Sequence, residues 1–407
     1  MTTSTSEKYN IICFSNQLWS YPLWTNKRHA MSRLSKAGHN VIFVDPPINL
    51  GRLFLRQLVS GLWTLKRLIT GVYTDSNVTI YSPIRVLPGD TLEATYGARS
   101  YINRLISLKG NLFDPELKTI LWVYHVEFTG LFTMLAELSH DILVYDCVDN
   151  YSAFPKYDTP EKKQAVVQKE ERLAKQADLV FTTAPGLFDR MKKLNSNTFF
   201  TPNVGDFEQF NKAYGRKDLV PSDICSINKP VIGYTGALDS YKFDSKLFKY
   251  LVERFPNYNF VLIGPVALKD REGSLEELGL SGYDNVFFLG TRPHPTMQNY
   301  FAGFDAFIIP YQLNEYTVGG CFPVKFHESL AIGLPTIVTD LPTYKPFSDV
   351  CYISKNYPEF GDNLKLALEE DSDQKISARM KVAKDNSWEG KINLMLGHIA
   401  QTLQNKL

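Results

Sequence analysis

Residues Gly319 to Leu341 read GGCFPVKFHESLAIGLPTIVTDL. A glycine pair and a proline lead into a short helical run, Val324 to Ile332, with Phe326, Leu330 and Ala331 on its apolar side. Gly333 suits a left-handed helix end, and Pro335 stands just beyond it. The β-branched run Thr336 to Thr339 then predicts a strand. The unit is a helix feeding a strand, with a flexible loop expected in front of the helix at Gly319 and Gly320. A helix N-terminus behind glycines offers free N–H groups and the positive end of a dipole, which suits a phosphate. Lys325 and Glu328, three residues apart, share one face. The lysine could meet a diphosphate and the glutamate could accept from a ribose diol. A solvated Lys–Glu pair on an ordinary α/β helix fits the spacing equally well.

Upstream lies a series of the same kind. Pro230 to Tyr234, Asn259 to Ile263, Asn285 to Leu289 and Phe304 to Pro310 are short apolar strands, with helices expected at Asp244 to Phe255 and Met297 to Ala302. The first half repeats the scheme. Tyr9 to Ser15 reads as a buried first strand, Lys27 to Ala37 as a helix stopped by Gly38, and Asn40 to Val44 as a second strand. Further strands are expected at Asn77 to Ile84, Thr119 to Tyr124, Asp141 to Tyr145, Asp178 to Thr183 and Thr198 to Thr201. No GxGxxG occurs, so the dinucleotide fingerprint is absent. The stretch Phe207 to Lys229 is polar and weakly periodic and reads as an interdomain linker with its flanks. The expected fold class is α/β: two Rossmann-like domains facing each other, with a ligand in the cleft against strand carboxyl ends. The first domain is placed at 1–206, joined by a C-terminal helix at 387–407, and the second at 207–386.

The 407 residues carry a net charge of +1, so no global field recruits nucleic acid. Five cysteines without a CxxC pair read as reduced core thiols of a cytosolic protein. The polar start MTTSTSEKYN has no apolar signal region, and no run of about 18 apolar residues spans a bilayer. Asn49 to Thr70 stands out as a basic amphipathic helix. Its cations Arg52, Arg56, Lys66 and Arg67 share one arc, with leucines opposite, as expected of a helix lying in an anionic membrane interface. A helix covering the sheet with its charges in water has the same pattern.

Taken in order, Gly236-Ala237-Leu238-Asp239, Phe260 to Pro265, Asn285 to Gly290 with Arg292-Pro293, Phe304 to Pro310 and PVKFHESLAIGLPTIVTDLP resemble the C-terminal half of GT-B glycosyltransferases. The resemblance is to the family-4, retaining nucleotide-sugar group. It is strongest from Val231 to Leu341 and weaker through Trp24 to Val44 and Tyr145 to Phe154. It implies that Glu328 grips the donor ribose. It also exposes departures: Gly320 stands where the family has a sugar-contacting glutamate, and Ala237 where it has an arginine. Lys325 and Arg292 are the replacement cations. Gly236, Gly319, Gly320 and Val324 complete the expected donor side. The family's reaction-centre histidine falls near Val148, so the flanking Asp146 and Asp149 are the catalytic candidates, with His125 after its strand as a third. A turn-capping role for either aspartate is the alternative. Asn16 and Trp19, in the loop after the first strand, are the expected acceptor-side residues.

No metal or other cofactor is expected. The one DxD, Asp371-Ser372-Asp373, sits in an acidic polar run, and the histidines show no HxxxH spacing. The expected partners are a nucleotide-sugar, a glycan or lipid-linked acceptor and an anionic membrane surface, with no nucleic acid. The expected place is the cytoplasm, peripheral to the inner membrane face. The expected activity is a metal-independent, retaining glycosyl transfer in polysaccharide or glycolipid assembly. A sugar-nucleotide epimerase and a catalytically silent nucleotide-sugar-binding scaffold remain alternatives.

Overall fold

A computed structural model describes residues 7–21, 24–49, 70–85, 96–268 and 271–406. Two parallel-stranded sheets organise them. The first sheet has eight strands in the spatial order Thr198–Phe200, Leu179–Thr182, Ile142–Cys147, Thr119–Val123, Asn10–Phe14, Asn40–Val44, Val78–Tyr81, Val72–Asp75. Its central strand NIICF is buried along its whole length, as an unbroken apolar run in a doubly covered sheet should be. Only the last two strands pair antiparallel, joined through Ser76 and Asn77 at φ 51° and 65°. Asn tolerates that left-handed pair, which lets a two-residue turn close the hairpin edge.

The second sheet has six strands, ordered Val286–Gly290, Asn259–Ile263, Val231–Thr235, Ala306–Ile309, Thr336–Thr339, Tyr352–Ser354, and every pairing is parallel. The helix Val324–Ala331 precedes its fifth strand, and Gly333 turns the chain at φ 78° between them. One core fills the second lobe, and two others cover the faces of the first sheet. The last helix, Trp388–Lys406, returns to the first lobe, where Trp388, Ile392, Met395 and Ile399 join a core beneath the first sheet.

Several expectations change. Phe207 to Lys229 is no loose linker: it forms the turns Phe207–Asn211, Lys217–Leu219 and Ser222–Cys225. Phe210, Ala213 and Ile224 bury into the second-lobe core, because the few apolar residues of this polar stretch fall on the inward side. Gly319 and Gly320 are not a loop but the end of a short helix, Glu315–Gly320. Asn314 starts that helix with a capping box closed by Thr317. The acidic run at Asp371 is a helix start, with Ser372 capping Asp373–Asp385 and Asp371 bonded to Arg379 at 2.5 Å. The basic stretch carrying Arg52, Arg56, Lys66 and Arg67 lies outside the described residues.

The chain passes between the lobes twice at one place. Gly205 donates to the Asn386 carbonyl at 3.3 Å and forms a parallel bridge with Ser387. Arg33 clasps both passes, reaching Asp206 at 2.6 Å and Glu389 at 3.2 Å.

Candidate functional site

A cavity of about 290 Å³ opens between the lobes, lined by both. The second lobe contributes the glycine turn after Val231–Thr235 and the start of the helix Val324–Ala331. Pro323 precedes that helix, so the Val324 and Lys325 N–H groups face forward without helical acceptors. Lys325 is half-buried, its ammonium 4.1 Å from the centre of the Tyr234 ring and 5.4 Å from that of Tyr311. Among the described residues it has no hydrogen bond or ion pair. Burial, with Lys242 second, brings its pKa down to about 7. Gly236, at φ 120°, makes room for it: a Cβ there would stand 2.3 Å from Lys325 Nζ. Lys242 also lines the cavity, paired with Asp239 at 3.0 Å. Of these two lysines, Asp239 neutralises only Lys242.

Glu328 lies one turn further along, on the same wall and only 7% exposed. Its Oε1 is 3.7 Å from His294 Nε2, and the His294 ring stacks on Trp24 of the first lobe at 5.0 Å. One ring nitrogen each from His29 and His294 and a Glu328 oxygen lie within 4.8 Å of one another. Arg33, always a donor, bonds His29 Nδ1 at 3.1 Å. That leaves the His29 proton on Nε2, which is buried without a hydrogen-bond partner among the described residues. In this tautomer Nε2 is a hydrogen-bond donor, not a metal ligand.

The first lobe brings Trp24, Asn26, Lys27 and Asp149 to the cavity. Lys27 is buried, and burial lowers its pKa against the opposing pull of Asp149 and Asp146. Burial raises the Asp149 carboxyl, opposed by Lys27 and by the Tyr316 hydroxyl, which donates to Oδ1 at 2.9 Å. Asn26 Nδ2 donates to Asn203, and Asn203 Nδ2 to the Phe322 carbonyl, at 2.7 and 2.6 Å. That chain ties the first lobe to the residue before Pro323.

Of the residues expected from sequence, Glu328, Lys325, Gly236, Val324, Arg292 and Asp149 line this cavity. Arg292 is not a free cation, however. It pairs with Asp223 at 2.9 Å and bonds Tyr300 at 2.8 Å. Gly319 and Gly320 lie off the cavity wall and serve lobe contact. A Cβ on Gly320 would sit 2.9 Å from Asn150 Cβ, and the Gly319 carbonyl comes within 2.5 Å of where a Gly186 Cβ would be. Asp146 is buried behind the wall, accepting from Trp122 Nε1 at 3.2 Å and facing Lys391 of the last helix. His125 is buried too. Its Nδ1 accepts from the Glu127 N–H at 3.0 Å, and its ring meets Tyr151 at 4.1 Å. Trp19 is core, donating to Asp75 and packing on Phe43, and Asn16 is half-buried off the cavity. The cleft-facing residues begin five positions after Trp19, where the chain turns into the helix Asn26–Lys36.

With this geometry in hand, comparison with known proteins is direct. Residues 229–351 match the family model of group 1 glycosyl transferases. The whole architecture matches sucrose-phosphate synthase from Thermosynechococcus elongatus, with a TM-score of 0.68 at 14% identity over 98% of this chain and all of that one. The fold is GT-B. Other GT-B structures agree. The catalytic domain of starch synthase IV from Arabidopsis thaliana, bound to ADP and acarbose, gives a TM-score of 0.65 at 11% identity over 98% of this chain and 100% of that one. Anabaena HepE in complex with UDP and glucose gives 0.64 at 12% over 97% and 99%. A Bacillus subtilis (strain 168) protein named as a teichuronic acid biosynthesis glycosyltransferase, TuaH, is 24% identical over 270 residues. That alignment spans 63% of this chain and 66% of the relative, just short of two thirds of its length. Together the family match, the relative and the GT-B architecture support a glycosyltransferase enzyme.

Proposed function

We propose that the chain transfers a sugar from a nucleotide-sugar to an acceptor in cell-surface polysaccharide or glycolipid synthesis, with retention and without a metal. The observation that carries this reading is Lys325: a half-buried ammonium with no anionic partner among the described residues, at a helix start, one turn before Glu328. A cation drawn partly out of water without an anion is costly, and a diphosphate would relieve it. On this reading Lys325, Lys242 and the helix N–H groups stabilise the leaving diphosphate, the role a divalent ion plays elsewhere. Glu328 accepts from the ribose hydroxyls. Asp149, across the cleft, orients the acceptor hydroxyl or takes its proton. The relative's teichuronic acid name supports a polymer of the cell surface. Work at the inner membrane face rests on the basic stretch from Asn49 to Thr70.

The test is a titration with UDP, GDP, ADP and dTDP, followed by turnover with the matching sugar nucleotides. Tight binding of one diphosphate, lost in Glu328→Ala and Lys325→Met, is expected, with sugar transfer to a membrane extract. No binding by any of the four overturns the reading. Gly320, in place of the glutamate the resemblance leads one to expect, favours a second reading as a donor-binding scaffold. Binding without turnover would establish that one, and acceptor-independent release of free nucleotide would point to an epimerase.

A further inference from the structure

Two ammonium groups on the cavity wall have no hydrogen bond or ion pair among the described residues. One is Lys325 of the second lobe. The other is Lys27 of the first, which is only 6% exposed and reaches the cavity. The remaining cations of the wall are already neutralised, Lys242 by Asp239 and Arg292 by Asp223. The Lys27 ammonium stands 5.4 Å from the centre of the Tyr124 ring, which offers it a π face in place of an anion. The acids that act on it, Asp149 and Asp146, each have other partners. Asp149 accepts from the Tyr316 hydroxyl, and Asp146 accepts from Trp122 Nε1 and faces Lys391. Lys27 also stands in the first turn of the helix Asn26–Lys36. Thr25 heads that helix without capping it, because its hydroxyl donates to Gln17 Oε1 at 2.7 Å. Trp24 to Lys27 all line the cavity, so the uncapped N–H groups of this turn open beside the ammonium.

The two unpaired lysines mark different ends of the cavity. The charged groups that act on Lys325 are Lys242, Asp239 and Glu328 of the second lobe, the end assigned above to the diphosphate and ribose. Those that act on Lys27 are Asp149 and Asp146 of the first, the end assigned to the acceptor hydroxyl. The sugar in transit has to lie between its leaving diphosphate and that hydroxyl, which puts it beside Lys27. We infer that this sugar carries a carboxylate, as a hexuronate does, and that Lys27 with the first turn of its helix receives it. The inference rests on the function proposed above and deepens it by naming the class of donor sugar. A carboxylate is a monoanion, matched by one ammonium, and it accepts from the ammonium and a helix N–H together. A neutral hexose would leave the ammonium buried without an anion.

The experiment titrates the full chain calorimetrically with UDP, UDP-glucose and UDP-glucuronate, and with the matching diphosphate, hexose and hexuronate of another base should UDP not bind. The wild type is expected to hold the hexuronate about tenfold more tightly than the hexose, the size of one charge-assisted hydrogen bond. Lys27→Met is expected to erase that preference and leave the affinity for the diphosphate alone unchanged. Equal affinity of the wild type for hexose and hexuronate overturns the inference, whether or not the variant folds. A preference that survives Lys27→Met overturns it too. So does a matching loss of diphosphate affinity in the variant, which would make Lys27 a second diphosphate cation. If no nucleoside diphosphate binds, the donor assignment fails first, whereas binding of a diphosphate without preference for its hexuronate overturns this inference alone.

Discussion

The Tyr316 hydroxyl of the second lobe donates to Asp149 Oδ1 of the first at 2.9 Å. The bond spans the cleft, and it stabilises a carboxylate that burial would otherwise neutralise. Since the carboxyl pKa is raised, the ionised form is gained only as pH climbs, and activity that needs it has an acid limb. Tyr316→Phe removes one stabilising donor. The limb is expected to move up by about one pH unit, equivalent to roughly 1.4 kcal/mol, with donor affinity little changed. A pH–rate profile of the two proteins reads this directly, and an unmoved limb would remove Asp149 from the chemistry.

Burial brings the Lys325 pKa down to about 7. The charged form is lost as pH rises past that value, so nucleoside diphosphate affinity is expected to weaken above it. Lys325→Met should bind weakly at every pH and lose the dependence. Its effect on stability has the opposite sign. A lysine with a depressed folded pKa makes the fold less stable below that pKa than above it. Replacing the unpaired charge with an apolar side chain is expected to stabilise the free protein by about 1–3 kcal/mol at pH 6. Calorimetric titration and thermal melts across pH 6–9 check both arms.

Glu328→Ala is expected to weaken donor binding by roughly 10- to 100-fold, the range for hydrogen bonds to a charged group. A nucleotide lacking both ribose hydroxyls should bind the wild type and the variant alike. If the variant still prefers the ribonucleotide, the diol lies elsewhere.

Gly236→Ala puts a methyl group 2.3 Å from Lys325 Nζ at a backbone φ of 120° that alanine resists. Loss of diphosphate binding is expected, with at most about 1–3 kcal/mol of destabilisation. Gly215→Ala, at φ 71° in open space, is the control for backbone strain alone and should leave binding intact.

The second-lobe side of this site was legible in sequence because it is local. Pro323, Val324, Lys325 and Glu328 lie within six residues of chain, and a helical period places them on one wall. The first-lobe side was not. Trp24 and His29 meet His294 and Glu328 only through folding, across more than 260 residues of sequence, and no spacing rule reports such an encounter. Asn16 and Trp19 came from the correct loop, but the indole of Trp19 finds its hydrogen bond in Asp75 and turns inward. Arg292 failed as a free cation because Asp223, in a stretch read as linker, folds back to neutralise it. The glycine pair at 319–320 reads in sequence as a flexible loop before a phosphate-binding helix, but what it provides is room for a close neighbour. That neighbour is the backbone at Asn150 and Gly186 rather than a phosphate.

The paired passes at Gly205 and Ser387 act as a two-ply hinge. Two backbones joined side by side resist shearing and twisting, yet both can flex about the line on which they meet. Any opening of the lobes would be a swing about that line, with Glu328 beside it: a Cβ on Gly205 would come within 2.9 Å of the Glu328 backbone nitrogen. Tyr316 and Asp149 are joined only by the hydrogen bond that a swing would break. The ribose grip therefore sits beside the line on which the two backbones meet, while the contact that governs the acceptor proton bridges the lobes across the cleft.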